Sequence, residues 1–542
     1  MKNQYLKIEP VGGIGQIGSN MTLIQSANDT VLIDAGILFP YEDFFDINYL
    51  IPNLTNIPAP GHLIITHGHE DHIGAVLHVI KQFPDIKIFA SPFTAALIRK
   101  KLEFNHNPYP ITVYHHHEQL KFNDFTVDPI HVNHSIPETH GLLFRDNKDE
   151  LGLFFISDFK IDFKTTYERP FDFDKLIRLS KNLKRKILLA DSTNIISNTL
   201  KTPSEMDIIP VVDDLFASTE KRIFITCFSS NIHRLMTFIN LSKKHNRKIV
   251  PHGRSMISYL NTANELGMIP DYDSVIKQAD AVTPSQENIV VLLSGCQGDF
   301  RGTFRRFCMG EDSTFKPRVD DLVLLSSKAI PGNEKKISML INKLSEIGTK
   351  VVTSQDKLIH VSGHPGRDDL TLLYQKFEPT DIVPIHGETS FIRSHIAHIK
   401  RHYPAATPHY FLNFDSMIIA NDLKLNIKLG EKQDPIIIHG KQIVLEKEKV
   451  SERRKLACNG LVLVSLRISK NLLGVEKISY SLQGLPSIVT QSDGKFTRFL
   501  ENYFIQINFK DMEKTTEQLR IAIRKYFEQT LGYKPQTFIH IL

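Results

Sequence analysis

Residues 63–78, L-I-I-T-H-G-H-E-D-H-I-G-A-V-L-H, hold the side chains best suited to chemistry. An apolar run from Leu63 to Ile65 stops abruptly, and His67, His69, Asp71 and His72 follow within six residues. Imidazole nitrogens and a carboxylate oxygen are donors for a hard-to-borderline divalent metal. A solvated polar turn is the bland alternative. Three histidines and an aspartate straight after a buried strand make poor surface, so the metal reading is preferred. The spacing divides the donors: His67 and His69 can serve one metal, and Asp71 with His72 a second.

Further donors stand at the ends of other apolar runs. Asp34 closes the run Val31-Leu32-Ile33 and either orients the metal site from behind or merely makes a turn; spacing alone does not separate the two. His134 follows a β-run in V-N-H-S-I-P-E, with His131 and His140 as rivals in the same segment. Asp158 ends the strand-like run 153–156, a good position for a bridging carboxylate. His386 ends the run 382–385 and can complete a metal shell from the far side of the fold. His115, His116 and His117 are consecutive and cannot all face one metal from a strand, so they read as an exposed loop. The glycine-rich residues 12–20, G-G-I-G-Q-I-G-S-N, follow a strand but precede further strands and no helix, which argues against a dinucleotide fingerprint.

The elements that must position these groups read as short strands in the first third, at 7–11, 21–25, 31–33 and 86–89, with a helix at 76–83. From about residue 187, strands at 187–190, 223–226, 248–250, 289–293, 322–325, 350–352 and 382–385 alternate with helices such as 234–243 and 336–347, which predicts α/β layers. Five strand ends carry small or polar residues: 191–194, 229–231, 253–255, 294–298 and 326–327. Such ends suit phosphate oxygens in an open α/β sheet. Residues 407–438 read as β-rich and 441–454 as a charged connector. The last ~90 residues start afresh as a small α+β domain. It has a strand at 461–466, an amphipathic helix at 511–530 with Leu519, Ile523 and Phe527 on one face, and a closing strand at 537–542.

Length and composition bound the reading. A chain of 542 residues is too long for one core and predicts two to four domains. Hydrophobic content of 41% and charged content of 23% are those of a soluble globular protein. No apolar run approaches the ~18–20 residues that span a bilayer, and residues 1–10 lack a signal-peptide core; a cytoplasmic protein without membrane contact is expected. The four cysteines are scattered with no C-x-x-C spacing, which argues against a disulfide framework or a cysteine zinc site. A formal charge of +5 permits a polyanionic partner.

The motifs together resemble a known family. T-H-G-H-E-D-H at 66–72 is similar to motif 2 of the metallo-β-lactamase superfamily, and Asp34, His134 and Asp158 match motifs 1, 3 and 4. Residues from about 191 to 349 stand where the nucleic-acid-processing branch carries its β-CASP insertion. More specifically, nearly the whole chain resembles the bacterial ribonuclease J family, through D-A-G-I-L-F-P at 34–40, N-H-S-I-P at 133–137, A-D-S-T-N at 190–194, S-S-N-I-H-R at 229–234, I-P-G-N-E at 330–334, H-V-S-G-H at 360–364 and P-I-H-G-E at 384–388. It departs from the family at Gln16, at Ser157 and at 294–299; none of these is a metal ligand.

The resemblance implies a metallo-β-lactamase αββα sandwich over 1–200 and 345–440, a β-CASP α/β domain over 201–344, a linker at 441–451 and a C-terminal α+β domain over 452–542. It assigns His67, His69 and His134 to one zinc and Asp71, His72 and His386 to a second, with Asp158 bridging; Mn2+ is the alternative metal. Such a pair activates water and stabilises a leaving oxygen in phosphodiester hydrolysis. Asp71 is expected to orient the nucleophile and His364 to protonate the leaving group or hold the scissile phosphate. His360, Val361, Ser362, Gly363 and His364, helped by Ser327, are expected to hold substrate phosphate, and Phe39 to stack a base. The implied activity is 5′→3′ exonucleolytic and endonucleolytic cleavage of single-stranded RNA, favouring 5′-monophosphate ends, in RNA maturation and mRNA decay. Implied partners are a second copy or a tetramer, an RNA helicase and the ribosome. Competing readings are a DNA-processing nuclease of the same branch, a small-thioester hydrolase, which would lack the insertion, and an inactive RNA-binding scaffold.

Overall fold

The computed structural model describes residues 4–40, 47–277, 281–283, 285–330, 332–440, 442–469, 475–490, 494–505 and 511–541. Pro331, Lys441 and Leu542, which fall in stretches read from the sequence, lie outside the described residues. The chain forms two compact units, one of Met1–Phe39 with Leu50–Pro435 and one of Pro40–Tyr49 with Ile436–Leu542.

Two sheets build the heart of the first unit. One runs in the order Leu425–Lys428, Ser416–Ala420, Gln4–Gly12, Met21–Gln25, Thr30–Ile33, His62–Ile64, Lys87–Ala90 and Ile111–Val113. The other runs Thr407–Pro408, Asp381–Ile385, Arg185–Asp191, Leu151–Ile156, His140–Asp146, Phe125–His131 and Leu120–Lys121. Their facing side chains, among them Ile8, Ile33, Ile64, Phe144, Phe155, Leu189 and Val383, interdigitate in one buried cluster. The far face of the second sheet packs Leu143, Phe154 and Leu188 against Leu370, Leu373 and Phe377 of the helix Arg367–Phe377. The layers are those of an αββα sandwich.

Strand direction decides where the chemistry gathers. Thr30–Ile33 pairs parallel with His62–Ile64. Leu151–Ile156, Arg185–Asp191 and Asp381–Ile385 also pair parallel with one another. Five strands end at the same rim, delivering Asp34, the 67–72 turn, Asp158, Asp191 and His386, as the carboxyl ends of parallel strands do in open α/β sheets.

Between the adjacent strands Arg185–Asp191 and Asp381–Ile385 the chain leaves to build a separate layer. A parallel sheet, ordered Lys248–His252, Ile289–Leu293, Ile223–Thr226, Leu322–Leu325 and Lys350–Thr353, has its own core of Phe224, Val291, Leu293, Phe304, Phe307, Val323 and Leu340. This is an inserted α/β domain. The strands were readable because parallel strands covered on both faces are continuous apolar runs.

In the second unit, Leu461–Ile468 pairs antiparallel with Val475–Gln483 and parallel with Gln536–Ile541. Val462, Val464 and Leu466 bury against Leu519, Ile523 and Phe527 of the helix Met512–Leu531. Residues 441–451 are not a bare linker. They contain the strand Ile443–Leu445 and the start of the helix Lys447–Asn459, which buries no residue and so gave no apolar period to read. No helix among the described residues is long and apolar enough to cross a membrane.

Candidate metal centre

The 67–72 turn is tight because the strand His62–Ile64 hands directly into the short helix Glu70–Ile73. Gly36 lets the turn close: a Cβ there would stand 1.6 Å from the Asp71 carbonyl oxygen. The expected donors then fall into two sets, each with ligand atoms within 4.8 Å of one another: His67, His69, His134 and Asp158, and Asp71, His72, Asp158 and His386; a third group at the same spacing, Asp191, His364 and His386, adjoins the second. Asp158 belongs to both. Its Oδ2 lies 3.8 Å from His67 Nε2 and 3.5 Å from His134 Nε2, while its Oδ1 lies 3.3 Å from His72 Nε2. His386 Nε2 is 3.3 Å from Asp71 Oδ2. His386 ends its strand at φ +50°, a backbone conformation rarely held by a bulky residue unless its surroundings impose it.

Behind the donors stands a second layer of partners. His67 Nδ1 meets Thr66 Oγ1 at 3.0 Å, His72 Nδ1 meets Asp34 Oδ2 at 2.7 Å and His69 Nε2 meets Ser230 Oγ at 3.1 Å. His134 Nδ1 meets the Gly363 carbonyl at 2.7 Å, and His386 Nδ1 meets Thr193 Oγ1 at 3.0 Å. Bonds of this kind fix the tautomer and aim of a ligating imidazole. Asp34 is itself held, accepting from Thr66 N at 2.8 Å and from the Thr66 hydroxyl. Asn20 Nδ2 reaches His72 Nε2 at 3.0 Å.

The electrostatics suit a cation. Burial holds His67 and His134 well below the ordinary imidazole range and His69 at about 4, so these rings are neutral with lone pairs to offer. Burial opposes charge on His72 too, but the carboxylates of Asp158, Asp71 and Asp34 outweigh it and push it up to about 10. The second set thus concentrates negative charge and draws positive charge to itself. Asp158 Oδ1 is buried without a well-formed hydrogen bond, a costly state for a carboxylate oxygen unless a cation faces it. All donors are nitrogen or oxygen, and the residues fit a pair of divalent cations.

Beside the centre runs the 360–364 loop. Its carbonyls, and that of Ile359 just before it, are pinned: Ile359 O by Ser326 Oγ at 2.6 Å, Val361 O by Arg234 Nη2 at 3.0 Å, and His364 O by Thr202 Oγ1 at 2.7 Å and Asn194 Nδ2 at 3.0 Å. Gly363 packs so closely on His134 that a Cβ would stand 2.8 Å from its ring. Ser362 Oγ accepts from Asn194 Nδ2 at 2.8 Å and from His364 N at 3.1 Å. Both acceptor positions are filled, so its proton is left to donate. His364 Nε2 is 4.0 Å from Asp158 Oδ2 and Nδ1 is 2.7 Å from Asp191 Oδ2.

The remaining expected residues are placed differently. Val361 is buried and contributes its backbone rather than its side chain. His360 turns Nδ1 to Arg234 Nη1 at 2.6 Å; burial and that guanidinium hold it down at about 3, so it is a neutral donor and not a cation. Ser327 is nearly buried and its hydroxyl interacts with the Cys296 thiol; its neighbour Ser326 is the one that touches the loop. Phe39 is exposed. His131 and His140 lie apart from both donor sets, His131 Nε2 donating to the Arg169 carbonyl at 2.9 Å. The 191–194 strand end, read as a phosphate site, is engaged within the protein instead. Asp191 holds His364, Ser192 meets His395 at 2.9 Å, and Thr193 and Asn194 support His386 and the loop.

Sequence reasoning read 191–194 and 229–231 only as strand ends for phosphate and 229–234 only as a family motif; it missed Asp191, Thr193, Asn194 and Ser230 as partners of the metal centre and gave Arg234 and Glu205 no role. Arg234 is almost wholly buried. It pairs through Nε and Nη2 with both Glu205 oxygens, at 3.0 and 2.7 Å. Breaking such a buried pair costs about 3–5 kcal/mol. A charged residue at a helix start reads as solvated surface until the fold is known.

Comparison with known proteins agrees with this geometry. Residues 14–145 match the family profile of the metallo-beta-lactamase superfamily. Residues 220–344 match that described as Ribonuclease J, beta-CASP domain. Residues 349–408 match that of the Zn-dependent metallo-hydrolase RNA specificity domain. Ribonuclease J of Helicobacter pylori (strain B128) is 30% identical over 554 residues, covering 99% of this chain and 79% of the relative. Ribonuclease J of Synechocystis sp. is 32% identical over 480 residues, covering 86% and 74%. Among solved structures, a protein of unknown function from Enterococcus faecalis V583 aligns with a TM-score of 0.54 at 12% identity, over 76% of this chain and all of that one. This last likeness concerns the fold alone.

Proposed function

The chain belongs to the ribonuclease J family, and on that premise we propose that it is a metal-dependent ribonuclease with two zinc ions per chain, Mn2+ being the alternative. The observation that carries the reading is the pair of donor sets sharing Asp158, with the pinned 360–364 loop alongside. His67, His69 and His134 would hold one ion, Asp71, His72 and His386 the other, and Asp158 both. When bound, two such cations supply Lewis acidity for the attacking water and the leaving oxygen.

The chain's own groups do the rest. Asp71, at the mouth of the second set, accepts a hydrogen bond from the attacking water and orients it. His364, aimed by Asp191, delivers a proton to the leaving oxygen. The Ser362 hydroxyl and the His360 Nε2–H donate to a phosphate oxygen, and exposed Phe39 offers a face to a base.

The substrate is single-stranded RNA, cleaved 5′→3′ with release of mononucleotides from 5′-monophosphate ends, alongside endonucleolytic cuts, in RNA maturation and mRNA decay. The match of residues 349–408 to an RNA specificity profile supports RNA over DNA. We place the catalytic sandwich at 1–200 and up to residue 440 after the insertion, the β-CASP domain at 201–344 together with the strand Lys350–Thr353 that completes its sheet, and a self-associating domain at 452–542, in a cytoplasmic dimer or tetramer that meets a helicase or the ribosome. The product lengths from 5′-labelled RNA and DNA of one sequence test this. Labelled mononucleotide from RNA with the DNA untouched is expected; cleavage of the DNA alone would overturn it.

A further inference from the structure

One turn of the inserted domain touches both halves of the site. The helix Ile232–Lys244 starts at Asn231, whose side chain caps it by accepting from Arg234 N at 3.1 Å. Ser230, just before the cap, places Oγ 3.1 Å from His69 Nε2. Arg234, one turn later, donates to the Val361 carbonyl at 3.0 Å and reaches His360 Nδ1 at 2.6 Å. Both residues are buried. Cap, serine and arginine are thus one rigid piece with a contact on each side of the centre.

The chemistry of each contact is directional. His69 turns Nδ1 to His67 and His134, at 3.2 and 3.1 Å. With Nδ1 as the ligating atom, Nε2 carries the proton and donates it to Ser230 Oγ. A guanidinium has donors and no acceptor, so His360 Nδ1 must accept from Arg234 and the ring proton sits on Nε2. Arg234 thereby sets the only tautomer of His360 that can donate from Nε2. Lysine, a point charge with no planar fork, cannot hold Glu205, Val361 O and His360 together.

We propose that the first turn of this helix makes the inserted domain part of the catalytic site: Ser230 is a positioning residue for the metal ligand His69, and Arg234 is a positioning residue for the substrate-holding loop, acting through His360. The insertion is then more than a wall for RNA. It sets the aim of a metal ligand and the proton of a substrate donor through one capped turn. The part concerning Arg234 rests on the ribonuclease reading; the part concerning Ser230 does not.

The test uses the full-length protein in three variants. Ser230→Ala should release zinc to a chromophoric chelator at roughly 10–100-fold lower chelator strength, the usual cost of losing an outer partner of a ligating histidine, with the KM for RNA unchanged. Arg234→Lys should leave zinc retention unchanged and raise KM by about tenfold, the equivalent of one strong hydrogen bond. His360→Gln should raise KM as well, and Arg234→Lys should add little in that background, since both act on one donor. Wild-type zinc retention in Ser230→Ala would overturn the first half. Additive effects of Arg234→Lys and His360→Gln on KM would overturn the second. If the wild type leaves RNA intact, the ribonuclease reading fails while the chelator result still decides the role of Ser230.

Discussion

Asp191 Oδ2 lies 2.7 Å from His364 Nδ1, and the carboxylate is fully buried at the end of a central strand. The pair fixes the ring so that Nε2 faces the site. Asp191→Asn keeps the shape but removes the charge that orients the imidazole. It should lower kcat for RNA hydrolysis by about 10²-fold, within the range of general acid catalysis, in protein saturated with metal, since Asp191 Oδ1 also lies 3.5 Å from His386 Nδ1 and the variant should hold that ion less tightly. A variant with undiminished kcat would mean that His364 moves no proton.

Asn194 Nδ2 and His364 N fill the acceptor positions of Ser362 Oγ, which leaves its hydroxyl proton for the proposed contact to a substrate phosphate. RNA with a 5′-monophosphate should be degraded much faster than the same RNA with a 5′-triphosphate, whose extra charge exceeds what the few donors of the 360–364 loop can pair. Ser362→Ala should erode that preference by about 1.5–3 kcal/mol, the value of a hydrogen bond to a charged group. Equal wild-type rates on both RNAs would defeat this role for the loop.

Stability should fall as pH rises, through one buried carboxyl. Burial pushes Glu168 up to about 8, and its Oε2 has no hydrogen-bond partner. The folded state therefore keeps a proton that the unfolded chain releases near pH 4.5. Between those values the unfolded state binds fewer protons, so stability declines with rising pH and the loss is complete above about 8. Glu168→Gln should be as stable as wild type near pH 4 and more stable by a few kcal/mol at pH 9. Parallel denaturation midpoints of the two proteins across that range would refute the assignment.

On the sheet of the second unit, Leu463 and Phe538 are register partners and both are exposed, while their neighbours Val462 and Val464 are buried on the other face. An open apolar sheet face of this kind favours self-association. Phe538→Glu should reduce the mass per particle in light scattering without changing the far-UV circular dichroism. An unchanged mass would place the association surface elsewhere.

Much of this was legible before the fold was known, for physical reasons. Metal donors at strand ends announce themselves, because an apolar run that stops in histidines and aspartates has few other uses. The inserted sheet was readable at 223–226, 289–293 and 322–325 because strands buried on both faces are unbroken apolar runs. The outer partners were not. Ser230 and Thr193 look like ordinary turn residues, and the Arg234–Glu205 pair spans 29 residues of chain that only folding brings together. The helix Lys447–Asn459 hid for the opposite reason: it buries nothing, so no period marks it.

If the two donor sets hold the cations on which hydrolysis depends, metal content and activity must fall together. The most direct measurement pairs elemental analysis with hydrolysis of 5′-labelled single-stranded RNA, for the wild type, His67→Ala and His386→Ala. We expect about two zinc ions per wild-type chain, as two donor sets imply, less metal in each variant, and no hydrolysis by either. Full activity in either variant, or hydrolysis by a wild type stripped of metal, would contradict it.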